Sequence, residues 1–121
     1  MSTVIDAQLT QGARELLRRL VLNDEGTVRT ALEGGASAFA DTPVLDRKTE
    51  ALVGLAALLS VGANATACRV AVEHARGARA SDEELVAVLL AVAPAIGNAR
   101  VVGTAPALEL AMGFDETNRL D

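Results

Sequence analysis

Apolar residues recur along most of the chain at the three- and four-residue spacing of an α-helix, interrupted by glycine, asparagine, aspartate or proline. "DAQLTQGARELLRRLVL" sets Leu9, Leu16, Leu17, Leu20 and Val21 on one stripe and Arg14, Arg18 and Arg19 elsewhere, which predicts an amphipathic helix. "NDEGTVRTALEGG" opens on an N-cap residue, Asn23 or Asp24, and closes on two glycines suited to a helix stop. The connector "ASAFADTPV" follows, with Pro43 fixing a bend. "LDRKTEALVGLAALLSV" begins with Asp46 as N-cap and runs apolar almost all round, the pattern of a helix buried on most sides. After a break at "SVGANAT", a further helix carries Cys68 and His74 and ends near Gly77.

"SDEELVAVLLAVAPAIG" opens with a capping box, Ser81 to Glu84, and Asp82 and Glu83 suit the dipole of its first turn. Pro94 is expected to kink or end this helix. "NARVVGTAPALELAMG" predicts a last helix, with Thr104–Pro106 the place for a break, and "FDETNRLD" is a polar tail. Only "RVV" suits extended backbone, and strands do not alternate with helices as a parallel sheet requires. The pattern predicts one all-α domain over residues 1–121, without repeat or linker.

Composition sharpens this. Half the residues are apolar, mostly Ala, Val and Leu, with Phe39 and Phe114 the only aromatics. Small aliphatic side chains suit closely packed helices but bury little area each, so burial between copies of the chain is expected to add stability. The formal net charge is −5, and Arg69, Arg76 and Arg79 are the nearest approach to a basic cluster. Without a basic face or Tyr and Trp rings for stacking, nucleic-acid binding is not expected.

One cysteine closes no intramolecular disulfide, so a reducing cytoplasm is expected, and "MSTVIDAQLTQGARELL" lacks the order of a signal peptide. Ala51 to Cys68 is free of charge over nearly the length of a membrane span. Gly54, Ser60, Gly62, Asn64 and Thr66 interrupt it, so a buried helical hairpin is expected and no membrane partner.

The run "LDRKTEALVGLAALLSVG", followed by "SDEELVAVLLAVAPAIGNARVVGTAPALELA", resembles the carboxymuconolactone decarboxylase family, relatives of the alkylhydroperoxidase-D-like proteins. The family's L-D-x-K-T-x-E-L, G-[VA]-[ST]-x-E-E-[IL] and V-L-L-x-x-A-P-x-x-G patterns correspond to Leu45–Leu52, Arg79–Leu85 and Val88–Gly97. The likeness covers roughly residues 44 to 112. It implies an alkylhydroperoxidase-D-like helical domain around a buried hairpin, assembled as a homotrimer or homohexamer. In peroxidase-type relatives a Cys-x-x-Cys-x-x-x-His run follows the buried helix, with a glutamate on that helix. Decarboxylase-type relatives keep a histidine without the cysteines and act on a small carboxylated lactone.

This sequence departs from both patterns. The two cysteine positions fall near Asn64 and Ala67, the histidine near Ala71, and the glutamate near Ala51 or Leu52, with Glu50 beside it. Two-cysteine peroxidase chemistry needs a resolving thiol that this chain lacks. Cys68 and His74 are six residues apart, about 120° around an ideal helix, so they do not share a face.

Each candidate residue has a structural and a chemical reading. Cys68 is a small buried apolar residue among alanines, or a single reactive thiol. His74 is a solvated residue at a helix C-terminus, or a proton-transfer group displaced by one turn, acting alone or with Glu50. Asn64 is an N-cap or a ligand contact. Asn98 and Arg100 follow a bend, where Arg100 is a surface arginine or the anchor of a substrate carboxylate. Glu73 suggests a surface ion pair with Arg76. One His and one Cys on different faces fall short of a metal site, and the resemblance implies no cofactor.

Three functions follow. The first is a cofactor-free lyase acting on a small carboxylated or cyclic metabolite, with His74, Glu50, Arg100, Asn64 and Asn98 at its site. The second is a non-catalytic oligomeric scaffold or small-molecule-binding protein of the same fold. The third is a weak single-cysteine peroxidase working through Cys68.

Overall fold

A computed structural model of the chain describes residues 2–39 and 44–114, with side chains from residue 12 onward. Six α-helices and one short 3₁₀ helix make up the ordered elements among these residues. They fall into two compact units that divide between Leu45 and Asp46.

The first unit holds α1 (Ser2–Val21), α2 (Glu25–Gly34) and the 3₁₀ helix Gly35–Phe39. Of the two N-cap candidates, Asp24 caps α2: its carboxylate accepts from the Thr27 N–H at 3.0 Å and the Thr27 hydroxyl at 2.6 Å. Asn23 instead takes a left-handed backbone (φ 56°) that turns the chain out of α1. On the predicted α1 stripe, Leu16 is half-buried, whereas Leu17, Leu20 and Val21 are exposed. Leu9, Pro43 and the tail beyond Phe114 lie outside the residues whose side chains are described.

The second unit holds α3 (Arg47–Ser60), α4 (Ala65–Gly77), α5 (Asp82–Ile96) and α6 (Asn98–Ala111). The starts of α3 to α5 follow the expected caps. Asp46 accepts from the Thr49 N–H at 2.7 Å, and Asn64 accepts from the Ala67 N–H at 2.9 Å. The Ser81–Glu84 capping box closes in both directions.

Three contacts give the helix directions. Lys48 and Glu84 pair at 2.9 Å, bringing the starts of α3 and α5 together. Arg76 donates to Asp82 at 2.9 Å and to the Met112 carbonyl at 3.0 Å, joining the end of α4 to the start of α5 and the end of α6. Gly62, before α4, meets Arg100 near the start of α6. With short turns between them, the four helices run up, down, up and down. Leu55, Leu59, Cys68, Val72 and Leu85 are sealed in their common core, joined by Leu108 and Met112.

Three local expectations are corrected. Pro94 does not end α5, which continues to Ile96, and Pro106 does not break α6. Each ring removes one backbone donor, but Val88 and Leu89 on α5, and Leu108 and Ala111 on α6, are buried in the core and hold the helices through the defect. "RVV" is helical, since Val101 and Val102 belong to α6. Arg76, expected beside Glu73, turns instead to Asp82 and Met112. No helix among the described residues is long and apolar enough to cross a membrane.

Candidate functional site

The up-down order gives the four-helix unit two unlike ends. At one end α3 and α5 finish while α4 and α6 begin; at the other, Lys48, Glu84, Arg76 and Asp82 form their ion pairs. The first end holds an open cleft of about 430 Å³, lined by Gly62, Ile96, Ala99, Arg100, Gly103 and Thr104.

Local backbone chemistry builds this cleft. Gly97 ends α5 and begins α6 at once, with a left-handed φ of 85° that glycine takes at little cost. A glycine there has no side chain to cap the α6 N-terminus, and no side-chain cap hydrogen bond is made. The first-turn N–H groups and the helix dipole therefore favour an anion at this position. Gly62 also has a left-handed φ, 72°, and a Cβ on it would overlap the Arg100 guanidinium. Its missing side chain is what lets Arg100 lie across the turn before α4.

Five of the six lining residues are exposed or half-buried; Thr104 alone is buried, at 2% exposure, and forms the floor. Its hydroxyl has no hydrogen-bond partner. Thr30 and Ser60, by contrast, donate to the carbonyls one turn back, at 2.9 and 2.7 Å. No acidic side chain lines the cleft, so Arg100 faces no competing carboxylate there.

The structure brings few of the sequence candidates together. Arg100 lines the cleft, and Asn98 is exposed in the same first turn of α6. Asn64 stands beside Gly62 with its side-chain oxygen engaged in capping α4. Glu50, half-buried, lies near the start of α3, about 15 Å along that helix from its end. His74 is exposed near the end of α4, about 14 Å along it from the first residue. Glu50 and His74 thus share the end of the unit opposite the cleft.

Cys68 is fully buried, and its thiol makes only a weak 3.8 Å hydrogen bond to the Ala63 carbonyl. Burial pushes its pKa up, which lowers the thiolate fraction that nucleophilic chemistry needs. An unbroken α4 separates it from His74 by face as well as by length. Among the described residues, no group of His, Cys, Asp and Glu converges to hold a metal ion.

The motifs used for the resemblance meet in space through Lys48 and Glu84. The model of the carboxymuconolactone decarboxylase family matches residues 26–110, more than half of the chain. The chain belongs to this family. Comparison with curated proteins and with solved structures finds no match.

For a carboxymuconolactone decarboxylase family member, the positions expected to carry chemistry are occupied by inert groups. Asn64 is a cap, and Ala51, Leu52, Ala67 and Ala71 are buried or half-buried apolar side chains. Beyond Arg100, sequence reasoning singled out none of the other five lining residues, of which Thr104 and Gly62 shape the cleft most. Thr104 stands one turn beyond Arg100 in an apolar helix, a spacing that puts both on one face. Gly62 read only as a helix break.

Proposed function

We propose that this protein binds a small carboxylated metabolite in the cleft at the start of α6, as a ligand-binding member of the carboxymuconolactone decarboxylase family. The observation that carries this is Arg100, set beside the uncapped N-terminus of α6 in a cleft with no acidic lining. A guanidinium and backbone N–H groups together suit a carboxylate. The volume suits a small metabolite. No lining residue is a general acid or base of ordinary pKa near neutrality, which favours binding over catalysis at this position.

The test is titration of the ¹⁵N-labelled protein with pentanoate, following the Ala99, Arg100 and Gly103 amides by NMR. Arg100→Met should weaken binding about tenfold or more, since charge-assisted hydrogen bonds contribute roughly 1.5–3 kcal/mol. Unchanged affinity in Arg100→Met would remove the cleft from consideration.

A second reading, a cofactor-free lyase, draws support from Glu50 and His74 sharing one end of the four-helix unit. Because Arg100 belongs to the other end, such an enzyme needs a second copy to join anchor and proton-transfer group. Exposed Val53, Leu90 and Val102 favour self-assembly, and a homotrimer or homohexamer is part of this proposal. Loss of any lyase turnover in His74→Ala supports it; undiminished turnover removes His74 from the mechanism.

A further inference from the structure

The buried, unpartnered hydroxyl of Thr104 adds a second requirement to the ligand. Threonine in a helix ordinarily satisfies its hydroxyl on the carbonyl four residues back, as Thr30 does here on Gly26. Thr104 makes no such bond, although Arg100 stands at that position of the same helix. It is also the one buried residue of the cleft lining. Removing a hydroxyl from water without a partner is unfavourable, so the arrangement is compensated best by a polar atom that arrives with a ligand.

Residues at this spacing stand about 6 Å apart on one helix face. Resting on the carboxylate reading above, we infer that the ligand is an oxo- or hydroxy-carboxylate and that Thr104 is a specificity-determining residue. The carboxylate engages Arg100 and the α6 N-terminus. The second oxygen, a few carbons along the ligand, meets the Thr104 hydroxyl once a turn about the Thr104 Cα–Cβ bond brings it to the cleft wall, where it donates to a ketone or accepts from an alcohol. Ile96, Ala99 and Gly103 supply the small apolar walls for the carbons between.

The experiment compares pentanoate with 4-oxopentanoate on the full chain, by NMR titration of the α6 amides, in wild type, Thr104→Val, Thr104→Ser and Arg100→Met. Wild type should bind 4-oxopentanoate roughly three- to tenfold more tightly, the worth of one added hydrogen bond. Thr104→Val should lose that preference, the two probes then binding alike, and Thr104→Ser should keep it. Equal affinity of the two probes for wild type overturns the role of Thr104 and leaves the Arg100 cleft standing. So does a preference that persists in Thr104→Val. Failure of both probes to bind, or their indifference to Arg100→Met, overturns the cleft reading and this inference together.

Discussion

Gly62→Ala separates the two jobs of one glycine, permitting a left-handed turn and leaving room for Arg100. At φ 72° an alanine Cβ crowds its own backbone, a cost of about 1–2 kcal/mol. Reduced freedom of the unfolded chain offsets roughly 0.4–1 kcal/mol of that, leaving a net loss of roughly 0–1.6 kcal/mol, near 0.8 at the midpoints. The overlap with Arg100 adds little to this, because the atom in the way is the far end of a flexible side chain. Its effect belongs to binding: the guanidinium swings away from the turn, and pentanoate affinity falls by several-fold. Gly54→Ala is the matched control. Gly54 lies within α3, and a Cβ there meets open space. Helix propensity alone should therefore stabilise the control by about 1 kcal/mol. Urea unfolding should show the midpoint falling for Gly62→Ala and rising for Gly54→Ala, with the slope unchanged in both. Gly62→Ala as stable as Gly54→Ala, or weakening pentanoate binding no more than Gly54→Ala does, would refute this division of the glycine's roles.

Two further outcomes follow from the caps and the core. Cys68 should resist a maleimide probe in the native protein and label fully in urea, because the thiol is sealed and its pKa raised by burial. Rapid native labelling would restore a single-cysteine peroxidase as a reading of this chain. Acid should destabilise the fold through its capping carboxylates. Hydrogen bonds hold Asp24, Asp46 and Glu84 below their ordinary values, those from Thr27 and Thr49 on the aspartates and that from Ser81 on Glu84, which Lys48 also assists. A depressed folded-state value means stability is fully present above the unfolded carboxylate range and is lost as pH falls through the lowered values. Asp46→Asn keeps a capping oxygen but removes one titration, so its urea midpoint should depend less steeply on pH below about 5. A pH profile identical to wild type would show that the Asp46 cap contributes no linkage.

What could be read in the sequence was what local chemistry decides. Asp46, Asn64 and Ser81 each announce a helix start because a short polar side chain satisfies N–H groups two or three residues away, whatever packs above them. The angular separation of Cys68 and His74 was equally legible, since it depends only on helix geometry. The prolines show the reverse case. A missing donor at Pro94 or Pro106 is a local fact, but whether it ends a helix depends on neighbours such as Val88 and Leu108 finding a core. Lys48 and Glu84 were visible as motif residues, yet nothing in their spacing said that one would pair with the other.

The cleft obeys the same division. Arg100 could be singled out as a candidate anchor from its place after a proline and a glycine, with a surface arginine as the other reading. Thr104 could not be, because its interest lies in a hydrogen bond that it fails to make, a property of packing rather than of residue type. Topology, in turn, decides which candidates can cooperate. Short turns force α3 through α6 to alternate in direction, so residues near the start of α3 and the end of α4 share one end of the unit. Gly62 and Arg100, flanking the start of α4 and opening α6, necessarily share the other. A site uniting His74 with Arg100 is thus closed to a single chain of this topology. Binding at Arg100 requires one chain; catalysis by His74 on the same ligand requires two. A mixed assembly of His74→Ala and Arg100→Met chains would therefore recover turnover if lyase activity exists across copies, and would recover none if each chain works alone.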